Sequence, residues 1–450
     1  MGEVECVELG PLKGTTLLWR PKADALVLTV IAKVSYALQA GTLSLASAPD
    51  DVNERDLHAQ NNPAKGLYSA SDLAPFKAEA DVTVVGKAFA PPGELAKALV
   101  ARLVVGPADK RIGVDHRIGV DKRIEVHAER YLRRDGRLRD RKFFSKMALG
   151  YEKAPGGEGT KNPVGMALVE QSDGRILLPH LQAVGETPSL QTPLTPCGLG
   201  PIPAGWPSRR RMLDDTQQRW VDAGDWRHEP VPDDMNWGFF NVAPADQRLA
   251  EIPADATIRL EHLHPDAPTL EMSLPGHAPR AYLEQGDDAK RVQMKGDTLW
   301  IDTNRLRCTL TWRGTIAVDD EDELRTSRVI VALVEPGQEL TWETAWHLAE
   351  AQRHRSLDAS SDAPPPSSSH EVKTRIARPA SSRRDGQRTI EMSLTDAEVG
   401  MLRDLGQAMG YPPEATLRHV LREAHQVRFG PPPSSLSSSL VVPPGDDTDA

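Results

Sequence analysis

The chain has 450 residues, with 54 Lys and Arg against 64 Asp and Glu, a formal net charge of −10 and a hydrophobic share of 39%. This size permits two or three domains, the composition excludes wholesale disorder, and the acidic balance repels polyanions, so nucleic acid is not the expected partner without a local basic face. Three widely spaced cysteines, Cys6, Cys197 and Cys308, form neither a disulfide framework nor a metal-ligand spacing, which fits a reducing cytoplasm.

The opening MGEVECVELG is acidic and has no signal-peptide pattern. The longest apolar run, Ala25 to Ala32, is broken by Thr29 and is far shorter than a membrane helix. A soluble cytoplasmic protein with no membrane partner is therefore expected. Thr15 to Trp19 and Ala25 to Leu38 read as a hairpin with its turn at Pro21–Lys22, and Gly41 to Leu45 as a third strand. Asp50 to Gly66 is polar and turn-rich, hence a loop. Asp81 to Val85 and Leu99 to Val105 are further strand signals.

Residues 111–126 hold three copies of a six-residue unit, RIGVDH, RIGVDK and RIEVHA. Three units are too few for a solenoid. Because six is even, such a duplication inside one strand keeps Ile112, Val114, Ile118, Val120, Ile124 and Val126 on one face. Arg111, Arg117, Arg123, Asp115, Asp121 and Glu125 fall on the other as an alternating-charge stripe. Between Arg130 and Lys142 stand seven basic and two acidic side chains around an Asp135–Gly136 turn. This basic hairpin is a candidate docking site for an acidic partner, or a charged tip that keeps an edge soluble.

Residues 154–207 are crowded with Gly and Pro and read as a packed strap. It leads into Trp220 to Leu249, WVDAGDWRHEPVPDDMNWGFFNVAPADQRL, which carries three of the nine tryptophans and two adjacent phenylalanines. Aromatic side chains bury about 150–250 Å² each, so this segment should be ordered on a larger body. Its prolines favour an extended strap over a long helix. Trp226, Pro230, Trp237, Phe239, Phe240, Asn241, Pro244 and Gln247 are its candidate structural or partner-binding residues. Six short strands follow, at Thr257 to Leu263, Thr269 to Leu274, Ala281 to Leu283, Thr298 to Asp302, Arg305 to Arg313 and Ser327 to Glu335. Thr341 to Arg355 has helical periodicity, with Trp342, Ala345, Trp346 and Ala349 on one face. The fold expected is mainly β, α+β overall, with a sandwich-like or barrel-like body over residues 1–353 and long Pro/Gly straps.

PVPDDMNWGFFNVAPADQRL (Pro230 to Leu249) and DLAPFKAEADVTVVGKAFAPPG (Asp72 to Gly93) give a specific resemblance, with weaker matches at KNPVGM (Lys161 to Met166), LHP (Leu263 to Pro265) and LPG (Leu274 to Gly276). Over residues 1–350 the chain resembles a bacterial domain-of-unknown-function family associated with type VI secretion. The resemblance implies an adaptor or chaperone that loads a secreted effector onto the secretion spike, with the effector and the spike protein as partners. It brings no catalytic residue and no cofactor.

The residues themselves leave an enzyme reading open. His228 precedes Asp233–Asp234, and His262 and His264 would share a face on a strand, with Glu261, Asp266 and His277 as further ligands for a metal-dependent hydrolase. No nucleophile elbow, Walker loop or dinucleotide fingerprint is present. The expectation is a non-enzymatic chain with no catalytic residue, cofactor or metal.

Residues 354–386 are Ser- and Pro-rich and read as a flexible linker. From 387 to 429 a strand placing Ile390, Met392 and Leu394 on one face precedes two helices, opened by the Thr395 to Glu398 capping box and by Pro412–Pro413. This resembles a ribbon-helix-helix module, which implies a homodimer through that ribbon or a DNA-binding regulator. Seven Arg against seven Asp or Glu between Arg383 and Phe429 leave no net charge to drive phosphate binding, so dimerisation or partner docking is preferred. Residues 430–450 are expected to be a disordered tail.

Overall fold

A computed structural model describes residues 4–361, apart from 108–118 and the single positions 134, 141, 190, 287 and 320. One compact unit comprises Met1–Arg355 and a second Ser356–Ala450. The second is described only where it ends the helix Trp342–Ser361. The expected linker, the ribbon Ile390, Met392 and Leu394, the two helices and the tail lie outside the described residues.

The first unit is mainly β, built of several mixed sheets, and no sheet closes into a barrel among the described residues. The expectation of a sandwich-like body stands and the barrel alternative does not. The largest sheet has seven strands. Along it run Arg248–Leu249, Ala80–Val85, Lys295–Asp302, Arg307–Val318, Ala25–Ala37 and Leu12–Lys22, with Ser44–Leu45 paired beside Tyr36 and Ala37. A six-stranded sheet is centred on Val120–His127, Ala98–Gly106 and Thr257–Glu261, and a four-stranded one orders Glu5–Leu9, Arg328–Val334, Ala278–Gln285 and Asp288–Val292.

Strand alternation explains how these sheets stack. On Ala25–Ala37 the even positions Leu28, Val30, Ala32, Val34 and Tyr36 are buried in one core with Val82, Val84, Leu299, Ile301 and Leu310 from neighbouring strands. Leu103, Val105, Ile124, Val126, Ile258 and Leu260 of the six-stranded sheet join the same core, as do Ala281, Leu283, Val329 and Val331 of the four-stranded one. The opposite face of the four-stranded sheet offers Tyr282, Ile330 and Ala332 to Ala345 and Ala349 of the last helix, the helical face expected from its periodicity.

Several local expectations are corrected. The first hairpin turns at Ala23–Asp24, because Lys22 pairs with Ala25 and an irregularity between Trp19 and Lys22 absorbs Pro21. The loop at 50–66 contains a short strand, Leu57–His58. Strands Glu5–Leu9 and Asp288–Val292 were not legible as alternation. The helix Asp215–Ala223 overlaps the start of the expected strap, so Trp220 lies in its last turn. Its signals are in the sequence: Asp214 and Gln217 form a reciprocal capping box, and Gly224 ends the helix at φ 66°. Of the hexapeptide repeat, Val120, Ile124 and Val126 are buried, whereas Asp121 and Arg123 are exposed. Ile112, Val114, Ile118, Arg111, Asp115 and Arg117 lie outside the described residues.

Candidate functional site

The site is built on the second face of the seven-stranded sheet. In-register pairing puts Lys33 and Ser35 beside Thr311 and Thr309, then Thr298 and Trp300, then Asp81 and Thr83, with Thr29 and Arg313 further along the same two central strands. All except Trp300 are polar, and all except the half-buried Thr298 are buried. A buried polar group must find a partner or lose the energy of its hydration, and the two long motifs supply many of those partners, with Asp50, Tyr68 and Asp297 adding others.

Asp81 is the hub. Its carboxylate accepts from Lys77 Nζ at 2.8 Å, Asn241 Nδ2 at 3.2 Å, and the backbone N–H groups of Val242 and Ala243 at 3.0 Å. Burial pushes this carboxyl up, but the Lys77 ammonium and the converging donors outweigh burial and hold it below its ordinary range. Lys77 also donates to Thr298 Oγ1 at 2.7 Å. A second pair, Lys33 Nζ to Asp72 Oδ2 at 2.8 Å, is flanked by Arg313, which donates to Asp297 at 2.7 Å and to the Asp72 and Ala74 carbonyls. A cavity of about 20 Å³ lies among Lys33, Asp72, Lys77, Thr83, Thr298 and Thr309. That volume admits a water molecule and excludes a metabolite.

The strap has an inner and an outer half. In the inner half, Phe239, Phe240 and Asn241 are buried, and Asn241 also bonds the Glu79 carbonyl at 2.7 Å. Gln247 is fully buried and donates to Val82 O and Leu199 O at 2.8 and 2.9 Å. Pro244 opens the short turn that presents it. Trp237 is half-buried and meets Trp19, Phe76 and Phe240 within 6 Å. Trp226 stacks on Trp220 at 5.6 Å and meets Phe240 edge-on.

Arg209 locks this cluster and was missed in the sequence, where three adjacent arginines give no sign of which one turns inward. Its guanidinium sits 4.7 Å over the Phe239 ring and donates to the Phe239 and Ile202 carbonyls. Burial pushes its pKa down to about 10.

In the outer half, Pro230 is exposed. Arg20 and Val231 tie this half to the edge strand Leu12–Lys22, through Arg20 N to Trp226 O and Val231 N to Arg20 O, both 2.9 Å. Between the hairpin tip, the helix Asp215–Ala223 and residues 229–233 opens a groove of about 890 Å³. Lys22, Arg219, Trp220, Glu229, Pro230 and Asp233 line it.

The histidine candidates are dispersed. The strand expected to carry His262 and His264 ends at Glu261, and His262 adopts φ 57°, so the shared-face argument fails. His262 Nδ1 lies 3.2 Å from Phe89 O, His264 Nδ1 accepts from Asp266 N, and His277 pairs with Glu335 at 2.9 Å. His228 bonds Asp225 and not Asp233 or Asp234. Among the described residues no three His, Cys, Asp or Glu side chains converge as a metal set. Burial pushes the thiols of Cys6, Cys197 and Cys308 up to about 12.

A family model described as "Uncharacterized protein conserved in bacteria (DUF2169)" matches residues 23–313. The chain belongs to the DUF2169 family. That match covers the Asp81 hub, the whole strap and nearly all of the groove lining. No curated protein and no solved structure matches the chain. The two long motifs of this DUF2169 chain therefore meet as one unit, with Asp81 from one and Asn241, Val242 and Ala243 from the other. In the shorter motifs, Asn162 donates to Tyr151 O and Pro155 O, and Leu263 is fully buried. No helix among the described residues is long and apolar enough to cross a membrane.

Proposed function

We propose that the protein is a non-enzymatic adaptor that holds a segment of a secreted effector and brings it to a type VI secretion spike. The open groove along the outer half of the strap is the single observation that carries this reading. It is sized for several side chains of a peptide, while the small cavity among Lys33, Asp72 and Lys77 is not. Its lining combines Pro21, Pro230 and Pro232 with Lys22 and Arg219 and with Asp214, Glu229 and Asp233. Such a lining suits an extended protein segment carrying both signs of charge. The resemblance of the Asp72 to Gly93 and Pro230 to Leu249 stretches to secretion-associated chains supports the choice of a secreted effector as that partner.

The test is site-specific photocrosslinking in the producing cell, with a photoreactive residue at position 232 in the groove or at the exposed position 55 as control. The expected result is one adduct from position 232, with an effector exported by the secretion machinery. Absence of an adduct, or the same adducts from both positions, overturns the reading.

A further inference from the structure

A basic face lies apart from the groove. The hairpin Arg130–Arg133 and Leu138–Asp140 is joined by a third strand, Arg175–Leu177, in a separate three-stranded sheet. Leu132, Ile176 and Leu178 form its own small buried cluster, with Leu168 packed against it. On the opposite face the register sets Tyr131 between Arg139 and Leu177, and Arg133 directly beside Arg175. Arg133 N donates to Arg137 O at 3.0 Å, which extends the register and adds Arg137 to this face.

Four arginines thus surround one tyrosine, and the Arg175 guanidinium lies 5.1 Å from the Tyr131 ring centre. Arg133, Arg137 and Arg139 are exposed. Like charges directly opposite across strands destabilise a sheet, so a face of this composition gains from an added anion. Arg175 pairs with Asp173, and Arg137 lies 3.7 Å from Asp135. Arg133 and Arg139 make no ion pair among the described residues. Their planar guanidinium forks match carboxylates bidentately.

We propose that this arginine face binds a short acidic segment of a partner protein. Its size selects the class of partner. Three strands at about 4.8 Å spacing and four residues at about 3.3 Å rise make a patch of roughly 10 by 13 Å, enough for a few extended residues. A long polyanion would run off it onto a chain whose net charge is −10 overall. An acidic peptide meets the arginines and ends. The proposal goes beyond the adaptor reading and stands without it, because it concerns a different surface.

The experiment uses the full chain and a fluorescein-labelled decaglutamate peptide, with decaglutamine and a single-stranded ten-nucleotide DNA as competitors of equal length, read by fluorescence anisotropy. Decaglutamate should bind, more weakly as salt rises, and decaglutamine should not. Changing Arg133→Glu together with Arg139→Glu should weaken binding at least tenfold, while Arg55→Glu leaves it unchanged. Circular dichroism confirms folding, and Arg133→Gln with Arg139→Gln replaces the charge reversal if it unfolds. Equal binding of decaglutamine, tighter binding of DNA, no binding at low salt, or the same loss in Arg55→Glu overturns the proposal.

Discussion

The two halves of the strap share one stretch of sequence and behave differently. Between Trp237 and Gln247 the side chains of Asn241 and Gln247 and the amides of Val242 and Ala243 are engaged in the interior, on Asp81, Glu79, Val82 or Leu199. From Glu229 to Asp233 the chain touches the body through few bonds and presents prolines and carboxylates to an open groove. The lesson is that a concentration of aromatic residues in a sequence marks where a chain is anchored. The surface available to a partner begins beside the anchor.

The comparison breaks most easily at Asp81. Asp81→Ala leaves the Lys77 ammonium buried and unpaired and removes the acceptor for Val242 and Ala243. Urea unfolding should show a loss of about 3–5 kcal/mol, and a loss near zero would mean that the inner half is not held there. Phe239→Ala, at 2% exposure, should cost about 3–5 kcal/mol by the same measurement. Trp237→Ala should cost about 2 kcal/mol, because its ring is only half-buried. Equal losses would show that the two rings are packed alike.

Acid sharpens the same contrast. The folded pKa of Asp81 is depressed, so its stabilisation is fully present above the ordinary carboxylate value of about 3.9. It is lost as the pH falls through the lower, folded value. In Asp81→Asn that part of the acid-induced loss should vanish, so the difference in stability from the parent chain should shrink steadily below about pH 4. A difference that stays constant with pH would contradict the assignment. The smallest effect belongs to the groove. Lys22→Glu and Asp233→Lys should change stability by no more than about 0.5 kcal/mol, and a larger loss would place structural work in the outer half.

How much of this was legible beforehand follows from the range of each signal. β-Branched and aromatic content marked the first hairpin, read as Thr15 to Trp19 and Ala25 to Leu38, because its eleven- and thirteen-residue strands, Leu12–Lys22 and Ala25–Ala37, give a long run to read. Two-faced burial hid the chemistry of the second strand: Lys33 looks like a solvent position in a buried run, and only Asp72 beside it explains its place. The aromatic strap was visible by composition, whereas its division into halves depends on Asp81, about 160 residues away in sequence. Pro21 suggested a turn by its type, yet a bulge accommodates it within the strand. The basic hairpin was legible as a run of charge. Arg175 was not part of that run, because only strand pairing brings it beside Arg133.

The most direct test of the divided strap is amide hydrogen exchange of the full chain, resolved by mass spectrometry over residues 220–249. The account predicts that the Val242 and Ala243 amides, which donate to Asp81, exchange only with global unfolding, while the amides of Asp233 and Asp234 beside the groove exchange orders of magnitude faster. Equal protection of the two halves, or faster exchange at Val242 and Ala243 than beside the groove, would contradict it.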